Sequence, residues 1–370
     1  MPGPLGSLKV VEFAGLGPAP LAGQLLADLG ADVIVVDRAP APVDPTDINR
    51  RGKRSVALDL KAPEGRAAAL RLIAESDVLI EGFRPGVMER LGLGPDDCPE
   101  TLIYARMTGW GQTGPLAQVA GHDITYLALS GALHAMGDAD RPPVPPLNLV
   151  ADYGGGTMFL IFGILSAVIE RGVSGKGQIV DAAMIDGVPA MMGLIQGMLA
   201  RGAWSETRGA NWLDGAAPFY RCYTCADGRF VAVGALEPQF YAILLDKLGL
   251  PASYLENQND TATWPDRTAE FAAVFARHPR DHWAALFDTT DACVAPVLTF
   301  SEAAQHPHLA ARGTYRTLEG VQQAAPAPRF SRSAPAMNAK PGAPGAEGHA
   351  ILSSLGLSDA EIAAAMKKAP

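Results

Sequence analysis

Short apolar runs alternate with amphipathic runs along the first two hundred residues, and this alternation predicts an α/β domain. Strands are predicted where short apolar runs lie between turn residues, and helices where apolar residues recur every three or four positions. The predicted strands are residues 8–12, 33–37, 55–60, 77–83, 102–107 and 178–182. The predicted helices are residues 20–29, 63–76, 87–91, 123–133, 154–171 and 185–200. Apolar strands that alternate with helices favour a parallel, Rossmann-like sheet covered on both faces.

The pattern changes near Thr207 and predicts a second, smaller α+β unit. Asp227-Gly228 separates two apolar runs, 219–225 and 229–233, as in a β-hairpin. Further helices are predicted at residues 239–248, 267–277 and 281–287, and a strand at 294–300, placed at a sheet edge because Pro296 cannot donate a hydrogen bond.

The end of the chain is predicted as a linker followed by one helix. Residues 326–345 are rich in Pro, Ala and Gly, which is typical of a linker. Residues 358–366 predict a helix in which Ser358 and Glu361 form a capping box. The predicted organisation is therefore a large domain at 1–200, a linker at 201–217, a small domain at 218–325 and a C-terminal segment at 326–370.

Composition and charge exclude several classes of protein. The 370 residues are 48% hydrophobic and 19% charged, enough apolar surface for a large core and too much for a disordered chain. The formal charge of -9 argues against a nucleic-acid partner, which would need a basic surface. The longest apolar run, residues 158–169, suits a core helix rather than a membrane span. The start of the chain runs directly into a strand pattern, so we expect a cytoplasmic protein without a membrane partner.

The four cysteines indicate neither a disulfide framework nor a metal centre. Cys222 and Cys225 form a C-x-x-C, but Cys98 and Cys293 are isolated and make no second pair. The favoured interpretation of the C-x-x-C is two strand residues ahead of the Asp227-Gly228 turn, with a redox or metal role as the alternative. We expect no metal.

A glycine-containing turn near the start imitates a dinucleotide-binding fingerprint. Gly15 and Gly17 follow the first predicted strand, and Asp37 ends the second. However, Pro18 and Pro20 stand where this motif needs a backbone N–H and a third glycine. The sequence therefore favours a Rossmann-like start that does not bind a nicotinamide nucleotide.

Three polar residues at predicted helix starts are candidates for catalysis. His122 precedes one apolar helix, Asp152 precedes the glycines 154–156 and the next helix, and Glu237 precedes Pro238. Each of the two acids, taken alone, is explained as a helix cap. Together, an imidazole and carboxylates beside free helix N–H groups could serve acid/base chemistry on an anionic intermediate.

Three arginines follow predicted strands and favour a site for a phosphorylated ligand. Arg38 follows the second strand, Arg84 follows the fourth, and Arg90 lies two turns further on. The carboxyl ends of parallel strands form one crevice, so these side chains are expected to share an edge of the sheet. Ordinary surface arginines are the alternative.

These segments together resemble the family III CoA-transferase superfamily, and most of all its α-methylacyl-CoA racemase branch. The resemblance runs in order over residues 5–335. It is carried by VLIEGFRPGV at 78–87, GWGQTGP at 109–115, GHDITYLALSG at 121–131, PLNLVADYGGG at 146–156, GKGQIVDAAMIDG at 175–187, DGAAPFY at 214–220 and VGALEPQFY at 233–241.

The resemblance implies a fold, an assembly and a set of site residues. It implies a Rossmann-like large domain, a small domain, a C-terminal segment that returns to the large domain, and an interlocked homodimer. It makes His122 and Asp152 the acid/base pair, with Glu237 as a supporting residue. The coenzyme A contacts it implies are Arg38, Leu58, Asp59, Leu60, Lys61, Gly82, Phe83, Arg84, Arg90, Gly121, His122, Asp123, Ile124, Thr125 and Tyr126.

The activity implied by the resemblance is interconversion of (R)- and (S)-2-methylacyl-CoA in fatty-acid metabolism. One group removes the α-proton, an enolate forms, and a second group returns a proton to the opposite face. No resident cofactor is needed, since coenzyme A enters with the substrate. The alternatives are a CoA-transferase of the same fold, with Asp152 as nucleophile, and a CoA-binding protein without catalytic activity.

Overall fold

The computed structural model describes residues 3–335 and 340–366, which form two compact units. The larger unit contains the described residues up to 130, residues 147–191, and those from 310 onward. The smaller unit contains residues 131–146 and 192–309. The smaller unit is therefore inserted into the sequence of the larger one.

The larger unit is built on a six-stranded parallel sheet, which confirms the predicted α/β class. Its strands lie in the order β3-β2-β1-β4-β5-β6, and every neighbouring pair is parallel. The chain builds outward from β1 in one direction and then from β4 in the other, so the loops after β1 and β4 diverge at a switch point. The bounds are β1 (Lys9–Phe13), β2 (Asp32–Asp37), β3 (Arg54–Ala57), β4 (Val78–Glu81), β5 (Ile103–Thr108) and β6 (Ile179–Ala183).

Helices cover the sheet and bury its apolar side chains. Leu79 on β4 and Tyr104 on β5 belong to one buried cluster with Leu72 and Ile73. The helices are α1 (Pro18–Asp28), α2 (Pro63–Ala74), α3 (Val87–Arg90), α4 (Asp123–Ser130), α5 (Phe159–Ser174) and α6 (Met184–Met191). A π-helical segment, Leu149–Met158, runs directly into α5, and 3-10 turns occur at Ile48–Arg50 and Pro95–Asp97.

The single helix predicted at residues 185–200 is wrong, because the chain breaks it at Met192. α6 ends at Met191, and α7 (Gly193–Ala200) begins after one intervening residue. Pro189 lies inside α6 and cannot donate to the preceding turn, which weakens the helix near its end. The boundary between the two units falls at this break.

The smaller unit contains an antiparallel sheet in the order β7-β8-β9 around an aromatic core. The predicted hairpin is confirmed, and Gly228 takes a positive φ of 75° at its turn. The edge position of Pro296 is also confirmed, since β9 is the outer strand. Phe219, Tyr241 and Phe271 are fully buried. The bounds are β7 (Tyr220–Thr224), β8 (Phe230–Gly234), α8 (Pro238–Leu248), α9 (Trp264–Phe275), α10 (Arg280–Phe287), β9 (Val294–Pro296) and α11 (Phe300–Gln305), with 3-10 turns at Ala132–Ala135, Ala252–Asn257 and Thr261–Thr263.

Three segments lie in a different unit from the one that the sequence predicts. Residues 192–200 belong to the smaller unit, whose longer part begins at the break described above, and the other two segments are placed by distant contacts. Residues 131–146 were expected in the large domain, but Arg208 donates to the carbonyls of His134, Asp138 and Arg141 and ties them to the smaller unit. After α12 (Pro307–Arg312), the hairpin of β10 (Tyr315–Leu318) and β11 (Val321–Ala324) was expected in the small domain. It belongs to the larger unit, where Arg51 donates to the Gln323 side chain and to the Ala324 carbonyl. Both differences depend on distant partners, which leave no local sequence signal.

The C-terminal segment packs beside β3, the edge strand of the large sheet. The Ser55 amide donates to Glu347, and the Gly345 amide donates to the Ser55 hydroxyl. Two helices follow, α13 (Gly348–Ser354) and α14 (Asp359–Ala365), and α14 packs on α2. The capping box predicted for Ser358 and Glu361 is confirmed.

The joined helix at Leu149–Ser174 is long and apolar enough to cross a membrane by length and composition alone. Only 28% of its most apolar window is buried within the chain. One such helix is weak evidence for a membrane span.

Candidate active site

Two cavities open at the carboxyl edge of the large sheet, and the Phe83 side chain lines both. The larger cavity, of about 540 Å³, is lined by residues 16–19, 82–85, 107–110, 117, 119–122, 126, 152 and 184. The smaller cavity, of about 370 Å³, is lined by residues 13–14, 36–38, 58–61, 83, 87 and 91. Their position beside the switch point is where open α/β sheets bind ligands.

His122 and Asp152 line the same cavity, as expected for an acid/base pair. His122 directly precedes α4, and the Thr125 hydroxyl both accepts from its amide (2.9 Å) and donates to its carbonyl (2.7 Å). This turn fixes the His122 backbone and leaves the imidazole exposed. Thr125 therefore positions His122 and does not itself line either cavity.

Asp152 lies in the π-helical segment and is partly buried. Burial raises the pKa of its carboxyl, and the nearby Asp123 carboxylate raises it further. A hydrogen bond from Asn148 and the neighbouring His122 act in the opposite direction, but the pKa remains above its ordinary value. Such a carboxyl is prepared to hold a proton as well as to accept one.

Asp123 was expected to contact coenzyme A, but its side chain is buried and lines neither cavity. It is only 6% exposed, and Oδ2 accepts from the amides of Ala151 (2.9 Å) and Asp152 (2.8 Å). A negative group at the first turn of a helix satisfies N–H groups that have no partner within the helix. The side chain of Asp123 thus belongs to the structure that holds Asp152.

The glycines that follow Asp152 pack against α6 and their own turn. A Cβ on Gly155 would lie 2.9 Å from the Val188 amide nitrogen, and one on Gly156 would lie 3.1 Å from Met184 Cγ. A Cβ on Gly187 would lie 2.0 Å from the Gly155 carbonyl oxygen. These glycines therefore allow two helices to cross at backbone distance.

The loop after β4 is held by a buried ion pair. Glu81 accepts from the Phe83 amide (2.8 Å) and from Arg106 Nε (2.8 Å), and Arg106 also pairs with Glu89. This arrangement fixes Gly82, Phe83 and Arg84 at the wall of the larger cavity. The predicted arginine crevice is realised in part, since Arg84 lines this wall and Arg90 lines neither cavity.

The smaller cavity collects most of the other predicted coenzyme A contacts. Its lining includes Arg38, Leu58, Asp59, Leu60 and Lys61, on the loops after β2 and β3. The two cationic side chains are exposed, as a site for phosphate groups requires. The carboxyl ends of β2 and β3 thus bring together residues that lie 20 or more positions apart in the sequence.

The nucleotide-like turn near the start does not have the groups that a dinucleotide needs. Gly17 has a positive φ of 73°, and α1 begins at Pro18, which carries no N–H. Asp37 accepts from both Arg50 nitrogens, Nη1 and Nη2, and from the Ser55 hydroxyl, so its carboxylate is already engaged. The sequence-based rejection of a nicotinamide site agrees with this geometry.

The remaining predicted residues fall into two groups. Gly121 and Tyr126 line the larger cavity, whereas the Ile124 side chain is exposed and lines neither. Glu237 lies in the smaller unit, and its exposed side chain makes no capping hydrogen bond to α8. The cap that would have explained Glu237 structurally is therefore not formed, and its supporting role remains a prediction.

Trp110 and Asn148 adjoin the predicted site residues and were not predicted from the sequence. The Trp110 ring lies edge-on to Tyr126, with 4.7 Å between centroids, and both line the larger cavity. Asn148 bonds to the Asp152 carboxyl. Trp110 could have been predicted from the sequence, because it follows β5 at the same sheet edge as the other site residues. No pattern in the sequence indicates that Asn148 lies near Asp152.

Known proteins resemble this chain over nearly its whole length. It is 47% identical over 347 residues to alpha-methylacyl-CoA racemase of Mus musculus, covering 93% of this chain and 89% of that protein. It is 46% identical over 327 residues to the Homo sapiens racemase, covering 88% and 85% respectively. Among solved structures, a CAIB/BAIF family protein from Brucella suis has a TM-score of 0.81 and 29% identity, covering 96% of this chain and 100% of that one.

The family model described as CoA-transferase family III matches residues 5–349, and the fold and the order of the motifs agree with it. The chain therefore belongs to CoA-transferase family III.

Proposed function

We propose that this protein is an α-methylacyl-CoA racemase that interconverts (R)- and (S)-2-methylacyl-CoA thioesters. The observation that carries the proposal is that His122 and Asp152 line one cavity at the switch point of the sheet. The identity of nearly one half to two racemases, over most of each chain, supports the same activity.

The reaction is a proton transfer through an enolate. One of the pair, His122 or Asp152, removes the α-proton of the thioester, and the other returns a proton to the opposite face. Backbone N–H groups in the first turn of α4 stabilise the enolate oxygen, because the first N–H groups of a helix have no intrahelical partner. Return of the proton from the second face gives the other epimer, so the enzyme ends each cycle with the proton on the opposite group.

The raised pKa of Asp152 suits this alternation. In one direction Asp152 must begin protonated, and in the other it must accept a proton. A carboxyl with an ordinary pKa would be almost fully ionised near neutral pH and would donate poorly. Burial beside Asp123 raises the pKa of Asp152 above its ordinary value, and so favours the protonated form that this step needs.

The two cavities suit the two ends of the substrate. The phosphorylated nucleotide end of coenzyme A is assigned to the smaller cavity, where Arg38 and Lys61 supply positive charge. The thioester is assigned to the larger cavity, with Phe83 between the two. Coenzyme A arrives as part of the substrate, and the proposed proton transfer requires no resident cofactor.

The active enzyme is proposed to be a homodimer. Phe162, Ile169 and Val173 on α5 are 69%, 73% and 91% exposed within one chain. Large apolar side chains along one helix face favour association with another protein surface. A second copy of this chain would cover them, and Glu237 would support His122 within that assembly.

The same fold admits a CoA-transferase as the second candidate, since the family takes its name from that activity. Asp152 would then attack the thioester and form an acyl anhydride. A nucleophilic carboxylate must be ionised, and the burial that raises the pKa of Asp152 works against this role.

The deciding experiment incubates the purified enzyme with one epimer of a 2-methylacyl-CoA in D2O without an acceptor acid. NMR and chiral analysis follow deuterium at C2 and the two epimers. We expect exchange with epimerisation, lost in His122→Ala and Asp152→Ala and kept in His308→Ala, a change at an exposed histidine. Transfer of CoA to an added carboxylic acid without exchange would establish the transferase instead. Tight binding with neither reaction would leave a CoA-binding protein.

A further inference from the structure

A second carboxylate lies buried beside the proposed catalytic pair. Asp123 directly follows His122 in the sequence, and its Oδ2 accepts the amides of Ala151 and Asp152 at 2.9 and 2.8 Å. One residue thus connects the α4 turn that carries His122 with the π-helical segment that carries Asp152. Neither cavity is lined by Asp123, so its side chain is not placed to touch the substrate.

The hydrogen bonds of Asp123 do not by themselves require a negative charge. A single acceptor oxygen receives both amides, and an asparagine carbonyl of the same shape would do so equally well. The second oxygen, Oδ1, is buried without a hydrogen-bond partner among the described residues. Burial of an ionised carboxylate with one unpartnered oxygen costs stability. Asparagine would remove the charge, although its amide nitrogen would take the unpartnered place of Oδ1.

The effect of the charge falls on Asp152. We propose that Asp123 is a positioning residue of the racemase reaction, which fixes the Asp152 backbone through two hydrogen bonds and places a negative charge beside the Asp152 carboxyl. Repulsion between the two carboxylates favours the protonated form of Asp152, which is the form that donates a proton to the enolate. The inference rests on the proposed racemase function and adds to it a residue that acts through Asp152.

The other groups that face Asp152 do not supply this effect. His122 and the Asn148 side chain both lower the pKa of Asp152. Tyr126 is a buried phenol whose own pKa is raised by burial and by the Asp152 charge. Besides burial itself, Asp123 is the neighbouring group that holds the Asp152 pKa up.

The test compares Asp123→Asn with Asp123→Ala. The asparagine keeps an acceptor for both amides and removes only the charge, so the pKa of Asp152 should fall. The rate should fall near neutral pH in the direction in which Asp152 donates. In the direction in which Asp152 accepts, the acid limb of the pH profile should move to lower pH. KM should change by less than about twofold, because Asp123 does not touch the substrate.

The alanine variant removes both hydrogen bonds and should lower kcat by about 10²-fold, the usual effect of a displacement of about 1 Å at a catalytic group. A pH profile of Asp123→Asn that superimposes on that of the wild-type enzyme would overturn the inference, as would loss of binding with unchanged kcat.

A readout independent of turnover separates this inference from the proposed function. Carbon-13 NMR of labelled aspartate follows the Asp152 carboxyl through a pH titration, with its signal assigned from Asp152→Asn. We expect a lower Asp152 pKa in Asp123→Asn even if the wild-type enzyme proves to be a transferase. An unchanged titration would contradict the inference whatever the reaction, whereas absence of racemisation with a shifted titration would contradict only the racemase function.

Discussion

The carboxyl groups at the site differ in role because they differ in their hydrogen-bond and ion-pair partners. Asp37 and Glu81 are buried against arginines and hold loops in place. Asp123 holds backbone, and Asp152 is left without an arginine at the wall of the cavity. Burial raises the pKa of this unpaired carboxyl, and it is the one that we propose to carry the proton.

Replacement of Asp152 by asparagine should stabilise the protein while it abolishes activity. The folded state raises the pKa of this carboxyl, so folding disfavours its ionised form. The variant should therefore unfold at a higher temperature than the wild type near neutral pH. This difference should disappear as the pH falls through the raised pKa, because the wild-type carboxyl then becomes neutral.

The matched control for this prediction is Asp44→Asn, for which the expected change in stability has the opposite sign. A hydrogen bond from Thr46 lowers the pKa of the exposed Asp44 carboxyl. The variant should be less stable than the wild type near neutral pH, and equal to it at acid pH. Calorimetry at several pH values measures the unfolding temperature of both variants. A change of the same sign in Asp152→Asn and Asp44→Asn, relative to the wild type, would contradict both predictions.

Arg106→Met should destabilise the larger unit strongly. The substitution leaves Glu81, which is almost fully buried, without its cation, and breaking a buried pair in this way costs about 3–5 kcal/mol. Arg54→Met, in the exposed pair with Asp32, should cost less than about 1 kcal/mol. Urea unfolding measures the loss of stability in both variants. Equal losses would show that the buried Glu81 pair contributes no more to stability than the exposed pair.

The sequence predicted which residues line the site better than it predicted what each does. His122, Asp152, Phe83 and Arg84 were predicted and lie at one edge of the sheet. Asp123 was predicted as a coenzyme A contact, whereas its carboxylate accepts two backbone amides, because the direction of a side chain at a helix start depends on the element packed against it. Asp152 and Asp123 have the same local pattern in the sequence, and only tertiary contacts distinguish them.

Among the secondary-structure elements, the central strands followed directly from the sequence. They are apolar on both faces and bounded by turn residues, so their predicted ends lie within a few residues of the observed ones. The β10–β11 hairpin and α11 to α13 were missed, because they are short and have mixed polarity. The break at Met192 was also missed, because the apolar pattern continues through it.

The crossing of α6 and the π-helical segment should be highly sensitive to one added methyl group. A Cβ on Gly187 would lie 2.0 Å from a backbone oxygen, which cannot move aside as a side chain can. We expect Gly187→Ala to cost at least about 1–3 kcal/mol and to reduce turnover by displacing Asp152. In contrast, Gly197→Ala in α7 meets only the end of the Arg201 side chain, and should be neutral or stabilise by up to about 1 kcal/mol. Denaturant unfolding measures the free energy of unfolding of both variants. An unchanged free energy of unfolding in Gly187→Ala would contradict the close crossing of the two helices.

At the scale of the whole molecule, the exposed face of α5 is the feature that the single chain does not explain. The exposure of this face could not be predicted from the sequence, because an apolar helix that is buried within its own chain has the same pattern of residues. The dimer was inferred only from resemblance, and the exposure of Phe162 and Val173 now supplies a physical reason for it.

The dimer proposal predicts that a charge at the centre of this face separates the subunits. The wild-type protein should sediment as a dimer at micromolar concentration, and Phe162→Asp should shift it toward the monomer. Val43→Asp, at another exposed apolar residue of the larger unit, should leave the dimer intact. Analytical ultracentrifugation measures the oligomeric state, and circular dichroism checks that each variant is folded. A monomeric wild-type protein would exclude the proposal.

The attachment of residues 345–347 to Ser55 has a consequence for how the chain is made. The ribosome adds about 5–20 residues per second, and 292 residues separate Ser55 from Glu347. For a period on the order of 15–60 s, β3 therefore emerges from the ribosome as an open sheet edge. Such an edge is a template for pairing with other nascent chains. Efficient production of this enzyme should consequently depend on chaperones that occupy β3 until translation reaches the residues that cover it.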